Sequence, residues 1–155
     1  MKIRKFVKPG LILMDVRANS RSELLHILAE RIAAANPSLK VEAIEEALNE
    51  REKIGTTAIG HGVALPHARI PEHGEPIVGL ARLDTPVDFG ATDGERVWLI
   101  GFSAVDASES IKHLQILARL SRVLGSPVDR ESIGKARTPE EMMGVLTRDD
   151  NPWEL

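Results

Sequence analysis

The chain has 155 residues, 43% of them apolar, with 20 basic and 23 acidic side chains and a formal net charge of -3. That length supports a real core, and that apolar content excludes global disorder. The dispersed basic residues form no stripe for nucleic acid; the lack of cysteine excludes disulfides and thiolate chemistry; and the lack of tyrosine leaves few stacking platforms for bases or sugars.

In chain order, Leu11-Ile12-Leu13-Met14 reads as a short edge strand. Ser20 followed by Glu23 has the form of a capping box, and Leu24, Leu25, Leu28 and Ile32 repeat with helical spacing up to Asn36-Pro37. A second helix is expected over about 38–52, with Val41, Ile44, Ala47 and Leu48 inward and Glu42, Glu45, Glu46 and Glu50 on a solvated face. From Gly55 onward, glycines and β-branched residues replace helix formers. Val63-Ala64-Leu65 reads as a short strand, and Pro66 argues against a helix there.

Further along, 77–83 reads as a strand that Asp84-Thr85-Pro86 breaks, and Asp93-Gly94 marks a turn. The run Val97–Phe102 is apolar on both faces, as a central strand would be. Core packing is the expectation for Trp98, Phe89 and Phe102 around it. Asp106 and Glu109 suggest a cap for a helix over about 107–124, with Ile111, Leu114, Leu117, Ala118 and Leu124 as its core face. A short helix is expected at 126–133. Thr138-Pro139-Glu140-Glu141 then opens a last helix whose Met142, Met143 and Leu146 face inward. Residues after Arg148 are expected to be loosely held.

These elements imply an α/β fold: a single domain over 1–155, core about 8–148, with a mixed parallel/antiparallel central sheet flanked by helices. No signal peptide and no apolar run of about 18 residues is present. A cytoplasmic protein without membrane insertion is therefore expected.

The segment from Thr57 to Arg69 carries most of the chemistry. His67 follows a proline that restrains the chain, near two glycines that permit close approach. A neutral imidazole with one oriented nitrogen is a nucleophile toward phosphorus. Strand alternation would put Arg69 on the same face, where its guanidinium suits phosphate oxygens. His113 falls early in its helix, where the positive dipole end favours both an anion and a neutral ring. Arg51 reads either as a helix-terminal cation or as an arm reaching a phosphate near His67. Thr56 and Thr57 offer hydroxyls in the same turn.

Other chemistries fare worse. His61, His67, His73 and His113 raise the question of zinc, but their spacings define no metal site. His26 reads as an exposed helix residue. No P-loop occurs, the Gly-x-Gly at 60–62 is too short for a dinucleotide site, and Asp84, Asp88 and Asp93 lack calcium-loop spacing. Glu72 and Glu75 form a possible carboxylate pair, but their separation is not fixed. No cofactor and no metal is expected.

The stretch Arg51-Glu52-Lys53-Ile54-Gly55-Thr56-Thr57-Ala58-Ile59-Gly60-His61-Gly62-Val63-Ala64-Leu65-Pro66-His67-Ala68-Arg69 resembles the EIIA domain of the fructose/mannitol type in the bacterial sugar phosphotransferase system. Leu83–Ala91 is similar to its nitrogen-regulatory branch (EIIA-Ntr, PtsN), and Lys112–Ser121 to its second histidine motif. The resemblance spans about 8–148 and implies a mixed sheet flanked by helices. It implies that His67 is the phosphoryl acceptor, phosphorylated at the tele nitrogen by an HPr/NPr-like phosphocarrier. His113 then supports the phosphorylated state, Arg51 stabilises the phosphate, and Thr56 contacts it. The branch regulates partner proteins by its phosphorylation state. A sugar-specific EIIA that passes phosphate to an EIIB domain, and a non-catalytic binding module, are the alternatives. Two departures stand out: His61 replaces the asparagine usual between the glycines, and Ser103-Ala104-Val105-Asp106 replaces a proline-bearing loop after the central strand.

Overall fold

The computed structural model describes residues 1–71 and 73–153. Glu72 lies outside them, and with it the Glu72/Glu75 pair. After a 3-10 turn at Ile3–Phe6, the elements are β1 (Ile12–Val16), α1 (Arg21–Ala35), α2 (Val41–Ile54), β2 (Ala58–Gly60), β3 (Val63–Ala64) and β4 (His67–Ile70). They continue with β5 (Ile77–Val87), β6 (Val97–Asp106), α3 (Ser110–Leu124), α4 (Pro127–Lys135) and α5 (Pro139–Leu146).

The sheet is mixed. Its order is β1-β5-β6-β3-β2, and β4 also pairs with β6. β1 and β5 are parallel, β5 and β6 antiparallel, and both β3 and β4 run parallel to β6. Helices cover both faces. Leu24, Leu28, Ile44 and Leu48 from α1 and α2 pack with Phe89 and Phe102 on one side. Ile116 and Leu120 from α3, Ile133 from α4 and Leu146 from α5 pack with Leu80 and Leu99 on the other.

The capped helix starts follow the sequence reading. Ser20 and Thr138 each accept the expected backbone N–H through the side-chain oxygen, and Ser126 caps the short helix in the same way. In the first of these, Glu23 reaches back to the N–H of Asn19 rather than to that of Ser20. The second helix starts at Val41 and ends at Ile54, later than expected at both ends.

Four expectations are corrected. The fifth strand does not stop before Asp84 but continues to Val87, with a register irregularity between Arg82 and Val87 that accommodates Pro86. β6 does not end at Phe102. Ser103 to Asp106 are strand, because residues without proline keep the N–H groups that pair with β4. Asp106 does not cap α3; its carboxylate accepts from Ser108 and Gly74, and the helix opens at Ser110. The tail is anchored through Asp150, which accepts from the N–H groups of Ile3 and Arg4 and pairs with the enclosed Arg119. Trp153 is exposed.

The inward face of α3 also differs from the expectation. His113, Ile116, Leu120, Val123 and Leu124 are buried, whereas Ile111 and Leu114 are 74% and 66% exposed. The helix carries more apolar residues than one buried face can hold, so part of its apolar surface faces solvent.

Candidate active site

β3 and β4 lie end to end along one edge of β6, separated by Leu65-Pro66. The two strands are very short, so hydrogen bonds across the gap fix the chain. Leu65 donates its N–H to Thr57 O at 3.0 Å, and Ser103 donates to Pro66 O at 3.2 Å. His67 opens β4 directly after this gap and stands in register with Ser103.

The ring of His67 has an assigned tautomer. Nδ1 lies 2.8 Å from Leu65 O, a group that only accepts, so Nδ1 carries the proton. Nε2 then holds the lone pair, and Arg51 Nε donates to it at 3.1 Å. Arg51 stands in the last turn of α2, and its Nη1 also donates to Gly55 O at 2.8 Å. Burial, with Arg51 nearby, pushes the ring pKa below its ordinary value and outweighs the backbone hydrogen bond to Leu65. His67 is therefore neutral at neutral pH.

The ring of His113 stands 4.9 Å from that of His67, centroid to centroid, tilted by 55°. It is buried, and its Nδ1 is enclosed with no hydrogen-bond partner among the described residues. Burial first, then the neighbouring His67, Arg69 and Arg51, hold its pKa down to about 4. Both rings are thus uncharged bases beside two guanidiniums.

Two clefts of about 440 Å³ each open onto His67 and Arg51. One is walled by α2 and Arg69, and the exposed Ile54 lines it. The other is walled by α3 and the 56–59 turn, and the exposed Ile59 and Leu114 line it.

The remaining sequence candidates fall in different places. Arg69 lines the first cleft, but its Nη2 donates to Ala107 O at 2.7 Å and Ser110 Oγ at 3.0 Å. Thr56 lines the second cleft; its hydroxyl donates to Phe89 O at 2.5 Å and accepts from the Ala58 N–H. His61 is exposed and adopts a left-handed φ of 56°, between Gly60 and Gly62, which are also left-handed. Its N–H is held by Asp93 at 2.8 Å. That conformation suits Asn and Gly best, and here an Asp-anchored histidine accepts it. His73 is buried against Ala104 O and Asn36, and His26 is exposed beside Glu45 and Glu30. Among the described residues no group of three His, Asp or Glu side chains converges to hold a metal. Sequence reasoning missed Glu52, a buried carboxylate adjacent to Arg51 that binds Thr57. The signal was one acid on the side of α2 that also carries Leu48.

Residues 5–149 match the family described as "Phosphoenolpyruvate-dependent sugar phosphotransferase system, EIIA 2". The chain belongs to this family. Within it, the similarity runs to nitrogen-regulatory members. The "Nitrogen regulatory protein" of Bradyrhizobium diazoefficiens is 37% identical over 147 residues, covering 94% of this chain and 95% of the relative. That of Pseudomonas aeruginosa is 31% identical over 146 residues, again 94% and 95%. The crystal structure of the nitrogen regulatory protein IIA-Ntr of Neisseria meningitidis superposes with a TM-score of 0.88 at 29% identity, covering 94% of this chain and 99% of that one. The EIIA fold and the nitrogen-regulatory resemblance both agree with the sequence reading. No helix among the described residues is long and apolar enough to cross a membrane.

Proposed function

We propose that this EIIA protein accepts a phosphoryl group on Nε2 of His67 from a histidine-phosphorylated HPr/NPr-like carrier, and that the resulting state governs its binding to regulatory partners. The observation that carries the reading is the pair of contacts on one ring. Leu65 O holds the proton on Nδ1, which leaves the Nε2 lone pair facing the Arg51 guanidinium.

In the transfer, the Nε2 lone pair of His67 forms a bond to phosphorus. The bond from phosphorus to the donor nitrogen breaks, and its electron pair stays on the donor ring. The Nδ1 proton does not move, so Leu65 O supports the phosphohistidine as it supports the free ring. Arg51 Nε leaves the lone pair and turns to the phosphoryl oxygens, where its charge and directed N–H groups act. His113, with Nδ1 enclosed, has Nε2 as its available nitrogen; an N–H there donates to the same oxygens. The depressed pKa keeps both rings neutral, as nucleophile and neutral donor require. Thr56 orders the turn under the cleft through Phe89 and Ala58.

The exposed Ile54, Ile59, Ile111 and Leu114 supply an apolar rim for the docking of a carrier. The regulatory assignment draws on the nitrogen-regulatory relatives matched over nearly their full length. The test is intact mass after incubation with phosphoenolpyruvate, enzyme I and the carrier, followed by addition of a purified EIIB domain. A phosphate-sized gain that persists with EIIB present supports the regulatory reading. Rapid loss to EIIB points to sugar uptake, and no gain with an active carrier leaves a binding module.

A further inference from the structure

Glu52 and Thr57 form a buried pair beside the site, 6% and 5% exposed. An acid enclosed in this way is destabilising unless its oxygens are hydrogen-bonded. Here both oxygens are used on one residue: Oε2 accepts the Thr57 N–H at 3.1 Å, and Oε1 accepts the Thr57 hydroxyl. The same Thr57 presents its carbonyl to the N–H of Leu65 at 3.0 Å, and Leu65 presents its carbonyl to Nδ1 of His67 at 2.8 Å.

This chain of contacts bears on a weakly held stretch of backbone. β2 has three residues and β3 two, and their pairing is irregular between Ala58 and Gly60. Pro66 has no N–H to anchor it. The Leu65 N–H to Thr57 O contact is therefore a main restraint on the carbonyl that faces the histidine, and Thr57 is itself held by Glu52.

We propose that Glu52 is a positioning residue for His67: its carboxylate fixes the Thr57 peptide, and through Leu65 it fixes the carbonyl that selects the Nδ1–H tautomer of the ring. The inference takes its functional weight from the reading of His67 as the phosphoryl acceptor. Glu52 touches neither the phosphate nor the ring. It acts on which nitrogen is free to attack.

The experiment compares wild type, Glu52→Gln, Glu52→Ala and Thr57→Val by long-range proton–nitrogen NMR of the histidine rings, and by carrier-to-protein transfer kinetics. Wild type gives a His67 spectrum dominated by the Nδ1–H form. Glu52→Ala gives a mixture of tautomers and a transfer kcat lower by about 10-fold, with KM for the carrier unchanged, as expected for misplacement of a reacting group. Glu52→Gln stays near wild type, because its carbonyl accepts the Thr57 N–H while its amide donates to the Thr57 hydroxyl. Thr57→Val, nearly isosteric, removes one of the two bonds and shows a smaller shift of the same sign. Wild-type tautomer ratios in both Glu52→Ala and Thr57→Val would overturn the proposal. A Glu52→Gln protein as impaired as Glu52→Ala would overturn it too, by assigning the effect to charge. Should Glu52→Ala fail to fold, Thr57→Val decides alone. The NMR reading needs no donor, so a wild-type protein that takes no phosphate sinks the acceptor assignment without altering this result.

Discussion

Leu65 O and His67 Nδ1 are 2.8 Å apart, two residues apart in the chain, and that contact decides which ring nitrogen keeps its lone pair. The proline between them makes the contact durable. Pro66 fixes its own φ and biases Leu65 toward extended backbone, so the carbonyl and the ring are presented to one another by local geometry. The scaffold then holds the Leu65 peptide through Thr57 and brings a cation to the other nitrogen. The last turn of α2 does this with Arg51.

Replacing Arg51 should separate charge from geometry. Arg51→Ala is expected to slow phosphoryl acceptance by about 10²-fold or more, the scale seen when a preorganised donor to a developing charge is removed. Arg51→Lys should fall between, because lysine restores a point charge but not the planar fork. Single-turnover kinetics with phosphorylated carrier read both. Equal rates in all three proteins would remove Arg51 from the site.

His113 gives a pH signature. Its folded pKa of about 4 lies below the unfolded value of 6.5, so the unfolded chain binds more protons between these limits. Stability is therefore full above about pH 6.5 and is lost as pH falls through 4, by up to about 3 kcal/mol from this group. His67, also lowered, adds in the same direction. Denaturant unfolding from pH 7.5 to 4.5 should show the slope in wild type and a shallower one in His113→Gln. The same variant should transfer phosphate about 10²-fold more slowly.

Ile54 and Leu114 are 83% and 66% exposed at the mouths of the two clefts. Substituting each with Ser should leave unfolding free energy within about 0.5 kcal/mol, as for surface changes generally. It should raise KM for the carrier by about 10-fold at unchanged kcat, if these side chains lie at the centre of the docking surface. A loss of stability with KM unchanged would make them packing residues.

Gly62 tests the turn that leads into the site. A Cβ there would lie 2.5 Å from Trp98 Cδ1, on a backbone with φ of +78°. Gly62→Ala is therefore expected to destabilise by about 2–4 kcal/mol through clash and strain together. Chemical denaturation measures it. The shift should shrink in a Gly62→Ala, Trp98→Leu double variant, which removes the clash and leaves the strain.

Much of this was legible in the chain because the signals were local. Ser20 and Thr138 cap helices through contacts three residues long, and Leu65-Pro66-His67 carries its own conformational restraint. The failures came where distant partners decide. Ser103 to Asp106 look like a loop until β4 arrives to pair with them. Ile111 and Leu114 look like core because a sequence shows apolar residues, not which of them the sheet covers. Glu52 looked like one more acid on an acidic helix. Its role depends on Thr57, five residues on, and Thr57 matters only through Leu65, its partner across the turn.

The most direct test of the account is the position of phosphorus on the protein. Nitrogen-15-labelled protein, phosphorylated by the carrier at neutral to alkaline pH, should show phosphorus–nitrogen coupling to Nε2 of one histidine, and the signal should vanish in His67→Ala. Coupling to Nδ1, a phosphorylated His113, or label that persists in His67→Ala would contradict it.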